Sequence, residues 1–414
     1  MDQNIKAMMD TEIQVEPPAL QSVSDWLVEQ GLSGSSLENL FSGYCERLRQ
    51  IGIPLWRGHI GMRTLHPIYG SQALTWHEDQ PITRDEFLYS RSNTTDWTES
   101  PYYWMLNEGI TYARWSLDQS SEPLPFPMFS RFANQGGTDY VARIVDYGED
   151  GVLEGKTGLL SSYITKRPEG FLQLEIAALD RLNRRLALSV KTLLNIEISK
   201  NIVDTYIGKE AGRRVLSGEI HRGFHSVISA AIFFADLRNF TSLTDQLSRD
   251  DVIPMLDSYF ECMVKPLIAG GGDVLKFTGD GILATFNLNK GDSTEICGEA
   301  LNAAIESLKL MTELNEKRQK ENELITTFDI VLHKGSVSYG NVGALDRLDF
   351  TAIGPAVNEA ARIEPLCDDL DCNLLVSDRF AQAVSSNHNL SSLGVHAFRG
   401  LRRSYELYTV PDII

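Results

Sequence analysis

Apolar and polar positions follow one rhythm in the first half of the chain and another in the second. The stretches PLWRGHIGMRTLHP and YGSQALTWHED carry apolar residues bounded by turn formers, and predict two strands flanking a turn. A helix is expected near 35–51 and a helical stretch around 101–112, followed by the polar, proline-rich loop SSEPLPFP. TDYVARIVDY and GLLSSYITK then predict two further strands. From about 170 the period becomes helical: Leu179, Leu182, Leu186, Leu193, Ile196 and Val203 follow alternating steps of three and four, interrupted at Ser189 and Lys200. That seam predicts a short two-stranded coil that pairs two chains, the alternative being a helix lying on its own domain. YIGKEAGRRVLSGE, with three glycines, is expected to end the helix and form a linker.

In the second half, Ile232, Phe233, Phe234 and Ala235 form a short apolar run of the kind that fills a buried strand, closed by Asp236. TSLTDQLSRDDVIPMLDSYFECMVKPLI is amphipathic and helical, with Thr241 or Ser242 as the expected N-cap. GGGDVLKFTGDGILATFN predicts a hairpin with Asp280 at its tip. Strand, helix and hairpin in that order bring Asp236 and Asp280 to one sheet edge. Two carboxylates so placed raise each other's pKa unless a cation separates them. With oxygen ligands alone, that cation is Mg²⁺ or Mn²⁺. In DFTAIGPAVNEAARIEPL, Gly354-Pro355 breaks a strand and opens a helix, and Asn358 and Arg362 then project from one face at i and i+4. With Val357, Ala360 and Ala361 around it the helix reads as buried, so Arg362 is expected to need an anion or an acidic partner.

Composition narrows this picture. At 414 residues the chain is expected to hold two or three domains, and 43% hydrophobic residues suffice for real cores. A balance of 38 basic against 56 acidic residues, net −18, argues against a nucleic-acid or anionic-membrane surface. Five cysteines, none in C-x-x-C spacing, argue against a disulfide framework or a zinc site. The first twenty residues lack a signal-peptide pattern and no uncharged apolar run is long enough to span a bilayer, so a soluble, cytoplasmic protein is expected. All six tryptophans fall in the first 115 residues, marking a separate N-terminal core. His59, His66 and His77 lie there without the spacing of a haem or metal ligand set, and read as ordinary strand histidines.

These motifs carry two resemblances. Helix, strands, loop, strands and closing helix resemble a GAF- or PAS-like sensor domain, YITKRPEGFLQLEIAAL being the part most similar to GAF domains. FADLRNFT, the K-x-x-x-D of KFTGDG, HKGSVSYGNVG and T-x-x-G-x-x-V-N-x-x-A-R resemble, in order, the class III adenylate and guanylate cyclases across roughly 205–410. The fold class expected is α+β: a ferredoxin-like palm at 223–414, preceded by a flexible start at 1–20, a sensor at 21–175 and a helical coiled-coil linker at 176–222.

The cyclase resemblance implies a homodimer that converts ATP to cyclic AMP and pyrophosphate with two divalent ions per site. By it, Asp236 and Asp280 are the metal aspartates, and Asn358 and Arg362 orient the ribose and steady the transition state. Lys276 and Thr351 select the base, threonine standing where many cyclases carry aspartate; this pair is similar to a bacterial subgroup of adenylate cyclases, some of whose relatives respond to bicarbonate. Phe240 and Thr241, at the expected helix start, supply backbone N–H groups for the triphosphate. Arg399, Arg402 and Arg403 are further phosphate candidates. The N-terminal domain is expected to sense an unidentified small molecule or signal. Two rival readings stay open on the sequence: a non-catalytic nucleotide-sensing module and a guanylate or diguanylate cyclase.

Overall fold

The computed structural model describes residues 18–89, 94–117, 123–148, 158–344, 346–384, 388–398 and 403–411. The chain divides into two compact units, Met1–Ile202 and Val203–Ile414. No helix among the described residues is long and apolar enough to cross a membrane.

The first unit begins with α1 (Pro18–Ser33) and α2 (Leu37–Gln50). Strands β1 (Arg57–Arg63), β2 (Tyr69–His77) and β3 (Gln80–Leu88) come next, then α3 (Thr95–Thr98), α4 (Pro101–Asn107), β4 (Tyr112–Ser116) and α5 (Pro127–Asn134). Strands β5 (Asp139–Asp146) and β6 (Gly158–Thr165) complete an antiparallel sheet of order β3-β2-β1-β6-β5-β4. One core gathers Leu40, Phe41 and Tyr44 of α2, Val141 and Tyr163 of the sheet, and the long helix α6 (Gln173–Ile207). A second, aromatic core joins Tyr102 of α4, Phe129 and Phe132 of α5, and Tyr140 of β5. Strands β3 and β4 escaped the sequence reading because they are the sheet's two edges and carry only half-buried and exposed positions, with no buried apolar run.

The seam of α6 requires a correction. Leu179, Leu182, Leu186 and Leu193 are buried in the first unit's own core. Ser189, read as an interruption, donates from Oγ to the Leu27 carbonyl at 2.7 Å, and Asn183 accepts from Ser161 Oγ and Tyr163 OH, both at 2.9 Å. The three–four pattern is therefore the inner face of a helix packed on its own domain as far as Leu194, and of the seam's remaining members Ile196 is 55% exposed. The helix does end at a glycine, Gly208, with φ of 87°. The expected linker is itself helical: α7 (Lys209–Leu216) buries Ala211 in the second unit's core.

In that unit β7 (His225–Leu237) leads to α8 (Phe240–Thr244) and α9 (Arg249–Ala269). The hairpin β8 (Asp273–Thr278) and β9 (Gly281–Asn287) comes next, then α10 (Ser293–Lys320) and the long β10 (Phe328–Ala344). The order β10-β7-β9-β8, with β7 antiparallel to both neighbours, is the 4-1-3-2 arrangement of a βαββαβ palm. Extensions are β11 (Arg347–Ile353) beside β10, α11 (Pro355–Ile363), α12 (Leu366–Asp369), β12 (Leu374–Ser377), α13 (Asp378–Ala381), β13 (Ser391–Ala397) and β14 (Ser404–Thr409). Helices α9 and α10 cover one face through Tyr259, Met263, Leu301 and Leu308; α7 and α11 cover the other through Ala211, Ala356, Ala360 and Ile363.

The expected N-cap is also corrected. Helix α8 opens at Asn239, in the left-handed region at φ 57°, and the long helix starts afresh at Ser248. Asp250 and Asp251 occupy the first turn of α9, where carboxylates favour a helix N-terminus, and Ser248 Oγ donates to Asp251 at 2.6 Å.

Candidate active site

Strand β7 is apolar because it lies at the middle of the sheet, between β10 and β9. Asp236 stands at its end, opposite Asp329 of β10. The β8–β9 hairpin turns through Gly279 and Asp280, and the left-handed φ of 75° at Gly279 is what a two-residue turn with glycine first requires. A Cβ on Gly281 would fall 2.6 Å from Asp236 Oδ1, so only glycine lets the hairpin root close against that carboxylate. Burial, then the charge of Asp280, push the Asp236 carboxyl up to about 6, with Asp329 adding and the Leu237 N–H opposing. Asp236 and Asp280 are thus brought together, as the sequence predicts.

Beneath them lies a charged layer that sequence reasoning missed. Arg238 holds Asp329 in a two-pronged grip (Nη2–Oδ1 2.5 Å, Nε–Oδ2 3.1 Å), and reaches Asp368 at 3.0 Å and the Cys372 carbonyl at 3.2 Å. Glu364 is pushed up to about 7 by burial and by Asp236, Asp329 and Asp368. Arg238 belongs to the FADLRNFT motif, but its partners lie about 90 to 135 residues away, beyond any local pattern.

The donor chemistry fits a hard divalent cation. Two carboxylates that repel each other in a half-buried setting gain from a cation between them, and Mg²⁺ takes one or two carboxylates with substrate phosphates and water filling its remaining positions. Among the described residues no group of three or more His, Cys, Asp or Glu is placed to hold a metal by protein ligands alone.

Two further pairs form. Lys276 comes just after a register shift in β8 and stands opposite Leu283, whose side chain belongs to the core under α11, so Lys276 shares that face. Thr351 of β11 is opposite Gly340; it is 4% exposed, and its Oγ1 is buried with no hydrogen-bond partner. Strands β8 and β11 lie against each other. On α11, Asn358 and Arg362 share the exposed face while Ala356, Ala360 and Ile363 are buried. That corrects the expectation of a buried arginine: small residues make this helix look more buried than it is. Phe240 and Thr241 do open α8, the former half-buried and the latter exposed. A cavity of about 670 Å³ in this unit, lined by Glu210, Asp273, Lys290, Asn302 and Tyr339, includes none of these eight residues. Arg399 and Arg402 lie outside the described residues, and Arg403 pairs with Asp378.

The raised Asp236 carboxyl has a testable consequence. Native Asp236 keeps its proton to about pH 6, whereas an unfolded aspartate releases it near 4. Between those values the native state binds more protons, so in the metal-free protein this group's contribution is lost as pH rises through 6. Asp236→Asn keeps the neutral shape. In chelator it should therefore raise the denaturation midpoint more at pH 7.5 than at pH 5, and an equal effect at both would refute the assigned cause.

Residues 225–410 match the family model described as the adenylate and guanylate cyclase catalytic domain. The chain is similar to an adenylate cyclase of Anabaena cylindrica, 32% identical over 176 residues, covering 42% of this chain and 34% of that protein. It is also similar to adenylate cyclase 1 of Rhizobium meliloti, 27% identical over 183 residues, covering 44% and 27% respectively. The match thus spans about a third or less of these curated relatives. Among solved structures, the adenylyl cyclase CyaB from P. aeruginosa matches at 25% identity over 46% of this chain and 96% of that one, with a TM-score of 0.42. Palm topology, motif order and family match agree over residues 225–410 of the second unit, which are similar to the adenylate and guanylate cyclase catalytic domain.

Proposed function

We propose that this domain is an adenylate cyclase, forming 3′,5′-cyclic AMP and pyrophosphate from ATP at sites shared by two copies of the chain. The reading rests most on Thr351: a buried hydroxyl oxygen without a partner, on a strand that adjoins the strand of Lys276. Adenine N1 is an acceptor and the exocyclic amine a donor, so the Lys276 ammonium and Thr351 Oγ1 are complementary to them. Guanine carries a proton at N1, so it turns a donor instead of an acceptor towards the ammonium at that position.

In the reaction the ribose 3′-oxygen bonds to the α-phosphorus, the bond to pyrophosphate breaks, and the 3′-hydroxyl proton is lost. Asp236 and Asp280 would hold two Mg²⁺ or Mn²⁺ ions, which when bound neutralise phosphate charge and acidify the hydroxyl. Asn358 orients the ribose. Arg362 donates to the α-phosphoryl oxygens as their charge grows, an effect worth roughly 3–4 kcal/mol for a preorganised donor. Backbone N–H groups of Phe240 and Thr241 receive the triphosphate. The first unit acts as a sensor whose signal passes along α6, which starts in that unit's core and ends in the second. Product analysis of the purified chain with Mn²⁺ and either nucleotide tests the base assignment: cyclic AMP should form much faster than cyclic GMP, and equal rates would overturn it.

A further inference from the structure

Helix α11 presents Asn358 and Arg362, yet it is only nine residues long and meets the sheet through small side chains. A Cβ on Gly335 would lie 2.4 Å from Ala356 Cβ, so helix and strand touch almost backbone to backbone. At this contact no bulky side chain fixes rotation or sliding, and the one large residue the helix fully buries, Ile363, sits at its far end. Directional bonds supply the missing constraint. His333, two residues before Gly335 on β10, is 0% exposed. Its Nε2 lies 2.9 Å from Glu359 Oε2 and its Nδ1 lies 2.8 Å from Ser377 Oγ. Glu359 is the residue after Asn358.

The chemistry of the partners fixes the tautomer. A carboxylate only accepts, so Nε2–H donates to Glu359, and Nδ1 accepts from the Ser377 hydroxyl. Burial holds His333 below its usual range against the pull of Glu359, which agrees with a neutral ring. Arg379 of α13 closes the network, with Nη1 3.4 Å from the same Glu359 oxygen. One carboxylate thereby ties together β10, α11 and the β12–α13 corner.

We infer that His333 and Glu359 are positioning residues for the cyclase reaction, locking the rotation of α11 so that Asn358 meets the ribose and Arg362 the α-phosphate in register. The inference rests on the role given to Arg362 above. A donor misplaced by about 1 Å costs on the order of a hundredfold in rate, so the effect belongs in kcat.

The test uses the full chain and a double-mutant cycle, with kcat and KM for Mn²⁺-ATP measured on folded protein. His333→Leu should lower kcat about tenfold or more with KM little changed. His333→Gln, whose amide can still donate to Glu359, should remain within about threefold of wild type. In the Arg362→Ala background, His333→Leu should cost clearly less than it does in wild type, because one of the two groups it positions is gone and only Asn358 remains. Glu359→Ala reads the same contact from the helix side and replaces the leucine variant should that not fold. Unchanged kcat in the single variants, or fully additive losses, would overturn the inference. Retained activity in Arg362→Ala alone would instead overturn the site assignment on which it rests.

Discussion

Asp236→Ala and Arg362→Ala are each expected to be nearly inactive alone, and together in one cell to restore about a quarter of wild-type activity. In the proposed shared site the metal aspartates come from one protomer, and Lys276, Thr351, Asn358 and Arg362 from its partner. A mixed dimer then gathers both lesions in one site and leaves the other intact. Random mixing makes about half the dimers mixed, each with one good site of two. The exposed face that carries Asn358 and Arg362 supports this arrangement, since transition-state donors left open to water would lose most of their value. A site completed within one chain predicts no recovery. Verified mixed dimers without activity would rule out the shared site.

Lys276→Glu is expected to lower ATP turnover about a hundredfold. Loss of a hydrogen bond from a charged donor accounts for about 1.5–3 kcal/mol, and the new carboxylate repels the N1 lone pair. Guanine N1–H, by contrast, gains an acceptor, so the cyclic GMP to cyclic AMP ratio should rise. Parallel assays with both nucleotides measure this; an unchanged ratio would remove Lys276 from base selection.

How much of this was legible in the sequence varies with the reach of each interaction. Asp236 and Asp280 were legible because each obeys a local pattern, a buried strand with a carboxylate at its end and a T-G-D-G turn. Asn358 and Arg362 were placed on one face by helical spacing, although the alanines around them suggested more burial than the helix has. The seam of α6 misled because a helix buries the same three–four stripe against its own sheet as against a second copy; only Ser161, Tyr163 and Leu27, distant in sequence, reveal the difference. His333 opens the HKGSVSYGNVG motif, but its partners Glu359 and Ser377 are 26 and 44 residues away, so its role emerges only in three dimensions.

Conversion of ATP by the purified full chain, with Asp280→Ala as the paired control, tests the central claim most directly. The account predicts cyclic AMP and pyrophosphate in equal amounts, dependent on Mg²⁺ or Mn²⁺ and lost in the Asp280→Ala protein. Folded wild-type protein that yields no cyclic AMP under these conditions, or an Asp280→Ala variant that yields as much as wild type, would contradict it.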